Sequence, residues 1–219
     1  HKRLLTKTAN RIALGSLAVI VFLLLAVILV EPVRIGINTY LISFLPYSLF
    51  LMYLINRGES TTKAMFINCD NAMLHYRFYR QPSAILGMFK ERLQSLILIN
   101  LRPAAVIALG LTLLLVVSGG STNVFDYVIL PVTIICLSIF FSVHYLALYY
   151  LLQPYNSEVE MKNPLYTVIT AFTYFVCYAF MQRIDSHYFG IWVIGLTIAY
   201  IIIALILTYR IASKSFRLK

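Results

Sequence analysis

Four histidines and three cysteines carry the most versatile chemistry in this 219-residue chain. Cys69, Cys136 and Cys177 form no CxxC pair and show no metal-ligand spacing, so neither a zinc site nor a structural disulfide is expected. Cys136 and Cys177 sit inside apolar runs, where a thiol behaves as a small hydrophobe. His144 lies deep in an apolar segment, with Ser138, Ser142 and Tyr145 close by in sequence. An ionisable group at membrane depth is a functional candidate by default. No second ionisable group accompanies it, however, and polar residues in bundles commonly hydrogen-bond a neighbouring helix. The favoured reading is therefore a neutral, satisfied imidazole. His75 and His187 fall in loops.

The usual catalytic signatures are missing. There is no GxxxxGK[ST] run for a phosphate-binding loop, no GxSxG elbow for a serine nucleophile and no HExxH for a zinc protease. Gly119-Gly120-Ser121 reads as a turn after an apolar run. No catalytic, cofactor-binding or metal-binding residue is assigned.

The elements that must position these groups follow from composition. Hydrophobic residues make up 61% of the chain and charged residues 12%, with a mean hydropathy of +0.84. That excludes a soluble enzyme, a disordered regulator and a nucleic-acid-binding domain. Six apolar runs are near the length that crosses a bilayer: 12–30, 37–55, 103–118, 127–152, 165–181 and 188–209. Arg102-Pro103 suggests a break before the third. The fold class is all-α: one polytopic transmembrane domain over 1–219. The basic start followed by a long apolar run reads as a retained helix rather than a signal peptide. The opening His1-Lys2-Arg3, without Met, reads as an excerpt of a longer polypeptide or a tagged chain.

Charge sets the orientation. With the N-terminus inside, sixteen Lys and Arg fall on the cytoplasmic side, against Arg34 and Arg183 outside. The net charge of +10 thus records topology, with both termini cytoplasmic. Tyr127, Tyr149, Tyr150, Tyr188 and Trp192 near span ends suit an interfacial aromatic belt. The external connections are short. The long one, 56–102, is cytoplasmic, and loops of that length usually have a task. Within it, Ser83 is placed to cap an amphipathic helix at the membrane surface, running to about residue 100. Ile85, Leu86, Phe89, Leu93, Leu96 and Ile97 form one face; Lys90, Glu91 and Gln94 take the other. Upstream, residues 68–82 mix aromatic and basic side chains, the composition of a docking surface. No Asp, Glu, Lys or Arg lies firmly inside a span, which argues against a proton-coupled carrier or a simple ion channel.

Specific stretches carry a resemblance. Met65-Phe66-Ile67-Asn68-Cys69-Asp70, Tyr79-Arg80-Gln81-Pro82, Phe89-Lys90-Glu91-Arg92-Leu93, Gln153-Pro154-Tyr155 through Met161-Lys162-Asn163-Pro164, and the closing Thr208-Tyr209-Arg210 and Lys214-Ser215-Phe216-Arg217 resemble the ABC-2-like ABC exporter permeases of Firmicutes. The resemblance implies a subunit of the bacterial cytoplasmic membrane that hydrolyses no ATP itself. ATP and Mg would sit on a separate cytoplasmic ATPase. That ATPase would dock on a coupling element within 68–82, anchored by Phe78, Tyr79 and Arg80 beside Arg77, with a second contact at Glu158 and Glu160. It also implies a second six-span half, either another copy or the remainder of a longer permease chain, and a hydrophobic or amphipathic cargo (peptide or lipid) moved by alternating access. The chain departs from the family pattern in one place. Residues 182–187 are too few for re-entrant helices between spans five and six.

Two rivals use the same residues. A membrane anchor or assembly protein would hold a partner or anionic lipid with the basic loop. A lipid-directed enzyme would need His144 or His75 as its base, with a partner group in reach.

Overall fold

A computed structural model describes residues 2–74, 76, 81–156, 163–183 and 186–216, with side chains described from residue 6 onward except at 180–183 and 187. Every element among them is helical. They are α1 (Lys2–Leu29), α2 (Glu31–Tyr40), α3 (Tyr47–Ile55), α4 (Gly58–Met65), which continues through a π-helical turn (Phe66–Asp70) into the short α5 (Asn71–Met73), then α6 (Pro82–Ser118), α7 (Asp126–Leu152), α8 (Pro164–Arg183) and α9 (Ser186–Ser215). Four helical stretches are long and apolar enough to cross a membrane: Thr6–Leu29, Pro82–Ser118, Asp126–Leu152 and Tyr188–Ser215. Pro164–Ala179 is apolar but shorter.

Four expectations change in detail. The run 37–55 is not one helix, because α2 ends at Tyr40 and α3 begins at Tyr47. Pro46 has no amide to give the Ile42 carbonyl, which accepts instead from the Leu45 amide at 3.0 Å. The chain tightens into three-residue turns there. Conversely, Arg102-Pro103 does not break the third span. α6 runs straight through Pro103 for 37 residues, about 55 Å at 1.5 Å per residue. Proline is tolerated where neighbouring helices enclose it, and Pro103 is buried.

The amphipathic stretch is also differently placed. It is the first part of α6, and its apolar stripe of Ile85, Phe89 and Leu96 is buried against Val143, Leu146 and Tyr150 of α7. It is not left free for a lipid surface. Lys90, Glu91 and Gln94 are exposed, as the periodicity requires. Ser83 is not the cap. Gln81 is the N-cap in extended backbone and Pro82 opens the helix, a position where a missing amide costs nothing.

The directions of the helices follow from their contacts. Arg102 of α6 donates to the Asn10 side-chain oxygen at 2.9 Å. Eight residues further along α6, a Cβ at Gly110 would stand 2.2 Å from Ile20 Cδ1. α1 and α6 are therefore parallel and packed closely, as small residues permit. α7 runs antiparallel to α6, since Asn100 meets Ser142 and Arg92 meets Tyr150. α9 runs parallel to α7, with His144 on Tyr200 and Tyr150 on Phe216. The starts of α1 and α6 thus share one end of the bundle with the finishes of α7 and α9. α7 lies at the centre, buried continuously from Phe141 to Tyr150.

Candidate functional site

A buried polar constellation sits at that shared end. The π-helical turn closes on Asp70, and its extra residue per turn swings the carboxylate toward α6. Arg92 presents its planar fork to it. Nη1 donates to Asp70 Oδ2 at 2.6 Å, and Nη2 donates to Oδ1. The Tyr149 hydroxyl donates to Oδ2 as well. Arg92 Nη1 also donates to the Tyr150 hydroxyl at 2.9 Å. The Asp70 side chain is 2% exposed and that of Arg92 14%. Bidentate pairing is the geometry that makes arginine suited to a buried carboxylate.

Aromatic rings wall this ion pair. Phe216 stacks on Tyr150 with centroids 4.6 Å apart, and Phe89 meets Tyr150 edge-on at 5.4 Å. Phe66 and Tyr155 lie 5.3 Å apart, with Tyr149 beyond them. Ser215 adds a hydrogen bond to the Tyr150 carbonyl at 3.2 Å. Burial pushes the Tyr155 phenol up to about 12, so it stays protonated at neutral pH. Five separate stretches of chain meet here: 66–70, the start of α6, the end of α7, Tyr155 and the end of α9. Both Asp70 oxygens are engaged and Arg92 bonds two partners, so the arrangement ties these stretches together.

A second attachment holds the start of α4. The Arg57 amide donates to Asn100 Oδ1 at 3.2 Å, and Asn100 Nδ2 donates to Ser142 Oγ at 2.9 Å. Ser142 passes its hydrogen to the Ser138 carbonyl at 2.8 Å. Gly58 is needed beside this chain, because a Cβ there would stand 2.3 Å from Tyr145 Cβ.

The loop that follows α7 is tied back to the same end. Gln153 turns the chain with a φ of 42°, unusual for a non-glycine residue. Asn163 Nδ2 then donates to the Leu152 carbonyl at 2.5 Å. The stems of both expected docking loops therefore meet beside Tyr149: one through Phe66 and Asp70, the other through Tyr155. Arg77, Phe78, Tyr79, Arg80, Glu158 and Glu160 themselves lie outside the described residues, as does His75.

His144 is held on both nitrogens. Nδ1 lies 2.9 Å from the Tyr200 hydroxyl and Nε2 lies 3.1 Å from Thr173 Oγ1. Thr173 Oγ1 is also 2.8 Å from the Ile169 carbonyl. One assignment satisfies all three: Thr173 donates to Ile169, His144 Nε2–H donates to Thr173, and Tyr200 donates to Nδ1. Phe140 stacks on the imidazole at 6.0 Å and 9°. Both ring nitrogens are thus engaged by side chains of neighbouring helices.

Sequence reasoning passed over Asp70 as a lone acid and Arg92 as an inside positive charge. Both stand in the stretches that carry the resemblance, and so do Phe66, Phe89, Tyr155 and Phe216, all of which the fold gathers at this one clamp. Comparison with protein-family models, with curated proteins and with solved structures found no match for the chain.

Proposed function

We propose that this chain is the membrane-spanning permease subunit of an ATP-driven ABC exporter. It would have six spans, with α2 and α3 together serving as the second and α8 as the fifth. Both termini would be cytoplasmic, in a bacterial cytoplasmic membrane. The observation that carries this reading is the meeting of two loop stems, 66–74 and 153–156, at one clamped end of the bundle. The alternating helix directions agree with six spans. The positive charge favours that same end as the cytoplasmic one.

In this reading a separate ATPase docks on Phe78, Tyr79 and Arg80, with Arg77 beside them, and touches Glu158 and Glu160 as a second contact. A buried aromatic next to an arginine is the usual composition of an interface hot spot. Movement of the loop is passed on through Asp70 to Arg92, so that α6 and α7 follow it as one body. A second six-span half completes the pathway. The cargo is a hydrophobic or amphipathic molecule carried between the halves by alternating access.

The test is co-purification. The tagged chain is expressed with the ATPase encoded beside it and isolated in nanodiscs, alongside the Phe78→Ala/Tyr79→Ala/Arg80→Ala variant. The expected result is an ATPase-active complex with the wild type and its loss in the variant. A well-folded wild-type chain that brings down no ATPase would remove the exporter reading and leave the anchor in its place.

A further inference from the structure

A cleft of about 380 Å³ opens between α3, α7, α8 and α9, at the opposite end of the bundle from the clamp. That is within the usual size of a small-molecule site. Leu137 and Phe140 of α7, Cys177 of α8, and Phe189, Val193 and Leu196 of α9 supply most of its wall. The two threonines that reach it have already spent their hydrogens. Thr197 donates to the Val193 carbonyl at 2.7 Å, and Thr173 serves the Ile169 carbonyl and His144 as described.

This decides what can fill the space. A water needs two to four polar partners, and apolar cavities without them stay dry. A sugar, nucleotide or peptide backbone would lose hydrogen bonds it made in water and recover none. An empty cleft would forfeit the dispersion contacts of its lining. Only hydrocarbon gains on entering.

The cleft does not stop at its rim. Trp192 and Leu196, which stand 68% and 50% exposed, also line a shallower groove of about 520 Å³ with Tyr188, Ile191, Gly195 and Ala199. The two hollows thus share the row of Trp192 and Leu196, with Phe189 and Val193 on the flank of the first and Ile191, Gly195 and Ala199 on that of the second, on a helix apolar enough to cross the membrane. The floor of the second is made of small residues, and a Cβ added at Gly195 would meet nothing within 4 Å.

We propose that a diacyl phospholipid of the surrounding bilayer seats astride Trp192, one acyl chain in the α3–α7–α8–α9 cleft and the other in the Gly195 groove. The site requires only that α7 and α9 lie in a membrane. It stands or falls independently of any ATPase.

The chain holds a single tryptophan, which makes the site readable by fluorescence. Two variants move that reporter. Trp192→Phe/Phe140→Trp places it on the cleft wall. Trp192→Phe/Phe141→Trp places it one residue on, where the native ring is 0% exposed and outside the cleft. Each is reconstituted in vesicles of dioleoyl phosphatidylcholine or of the same lipid brominated at its double bonds. Tryptophan at 140 is expected to be quenched to an extent comparable with Trp192 itself, and several-fold more than tryptophan at 141. Equal, weak quenching at 140 and 141 would overturn the proposal. Native mass spectrometry after detergent washing gives a second arm that does not depend on those variants folding. Wild type is expected to retain one phospholipid that Gly195→Leu, made where there is open space, fails to retain. Equal retention by Gly195→Leu would refute the two-chain seat, and retention of detergent alone by both proteins would refute the lipid.

Discussion

At one end of α7, Tyr149 and Tyr150 are enclosed by four other stretches of chain, two of which supply a buried ion pair. Toward the other end, Leu137 and Phe140 look into a cleft of about 380 Å³. The first region holds a buried, hydrogen-bonded ion pair walled by rings. The second is apolar, with its few hydroxyls bonded to their own helices. The contrast follows from what each kind of contact demands. A buried carboxylate and guanidinium must keep their geometry or lose several kcal/mol, so the segments that bring them together are held in register. Apolar surfaces impose no such angular requirement, and the helices around the cleft leave space between them. One end is fixed by directional bonds, the other by contacts without direction.

That comparison can be broken in order of expected effect. Arg92→Ala should be the most damaging, because it leaves Asp70 charged and buried. A loss of about 3–5 kcal/mol is expected, read as thermal unfolding of the detergent-solubilised protein. Asp70→Ala should cost a similar amount, and the double variant clearly less than the sum of the two. Single variants as stable as wild type would mean that the clamp is ornamental. Phe216→Ala comes next. It removes the ring stacked on Tyr150 and should cost about 3 kcal/mol, at the low end for a buried phenylalanine because it lies at a helix end that can relax.

His144→Leu sits between the two regions. It strands the Tyr200 hydroxyl and should cost about 1–3 kcal/mol. His144→Leu/Tyr200→Phe should recover part of that loss. Recovery would identify the histidine as a structural hydrogen-bonding group, whereas abolished function with unchanged stability in His144→Leu would contradict it. Smallest of all is Thr197→Val in the cleft wall. Its hydroxyl serves only its own helix, so a change within about 0.5 kcal/mol is expected. A melting temperature lowered as far as in Phe216→Ala would erase the distinction between the two ends.

Much of this architecture was legible in the residues. The apolar runs marked α7 and α8 to within two positions, whereas α1 begins ten residues before its run and α9 continues six residues past its own; Gly119-Gly120 did end α6, with the Gly120 amide bonded to the Leu115 carbonyl at 2.9 Å. The face of Lys90, Glu91 and Gln94 was also correctly read as exposed. What was misjudged turned on proline and on burial. Pro46 and Pro103 carry the same local signal, yet one interrupts a helix and the other does not. Both are buried, so enclosure does not separate them; Pro103 lies within the unbroken α6, whereas the backbone around Pro46 has gone over to three-residue turns. The Ile85, Phe89 and Leu96 stripe declared that it must be covered but not by what, since a bilayer and a tyrosine-rich helix are equally apolar partners.

Length and hydropathy by themselves therefore determined that the described residues form helices, several of them long and apolar enough to cross a membrane. They determined which faces are polar, because helical periodicity is a local property. Only the tertiary structure decided that Asp70 meets Arg92, 22 residues on, and that Arg92 meets Tyr150, 58 residues beyond it. The same holds for the meeting of His144 with Tyr200 and for the cleft left open beside α8. Those pairings depend on which helix lies next to which and in what direction. The spacing of residues along one helix carries no record of its neighbour.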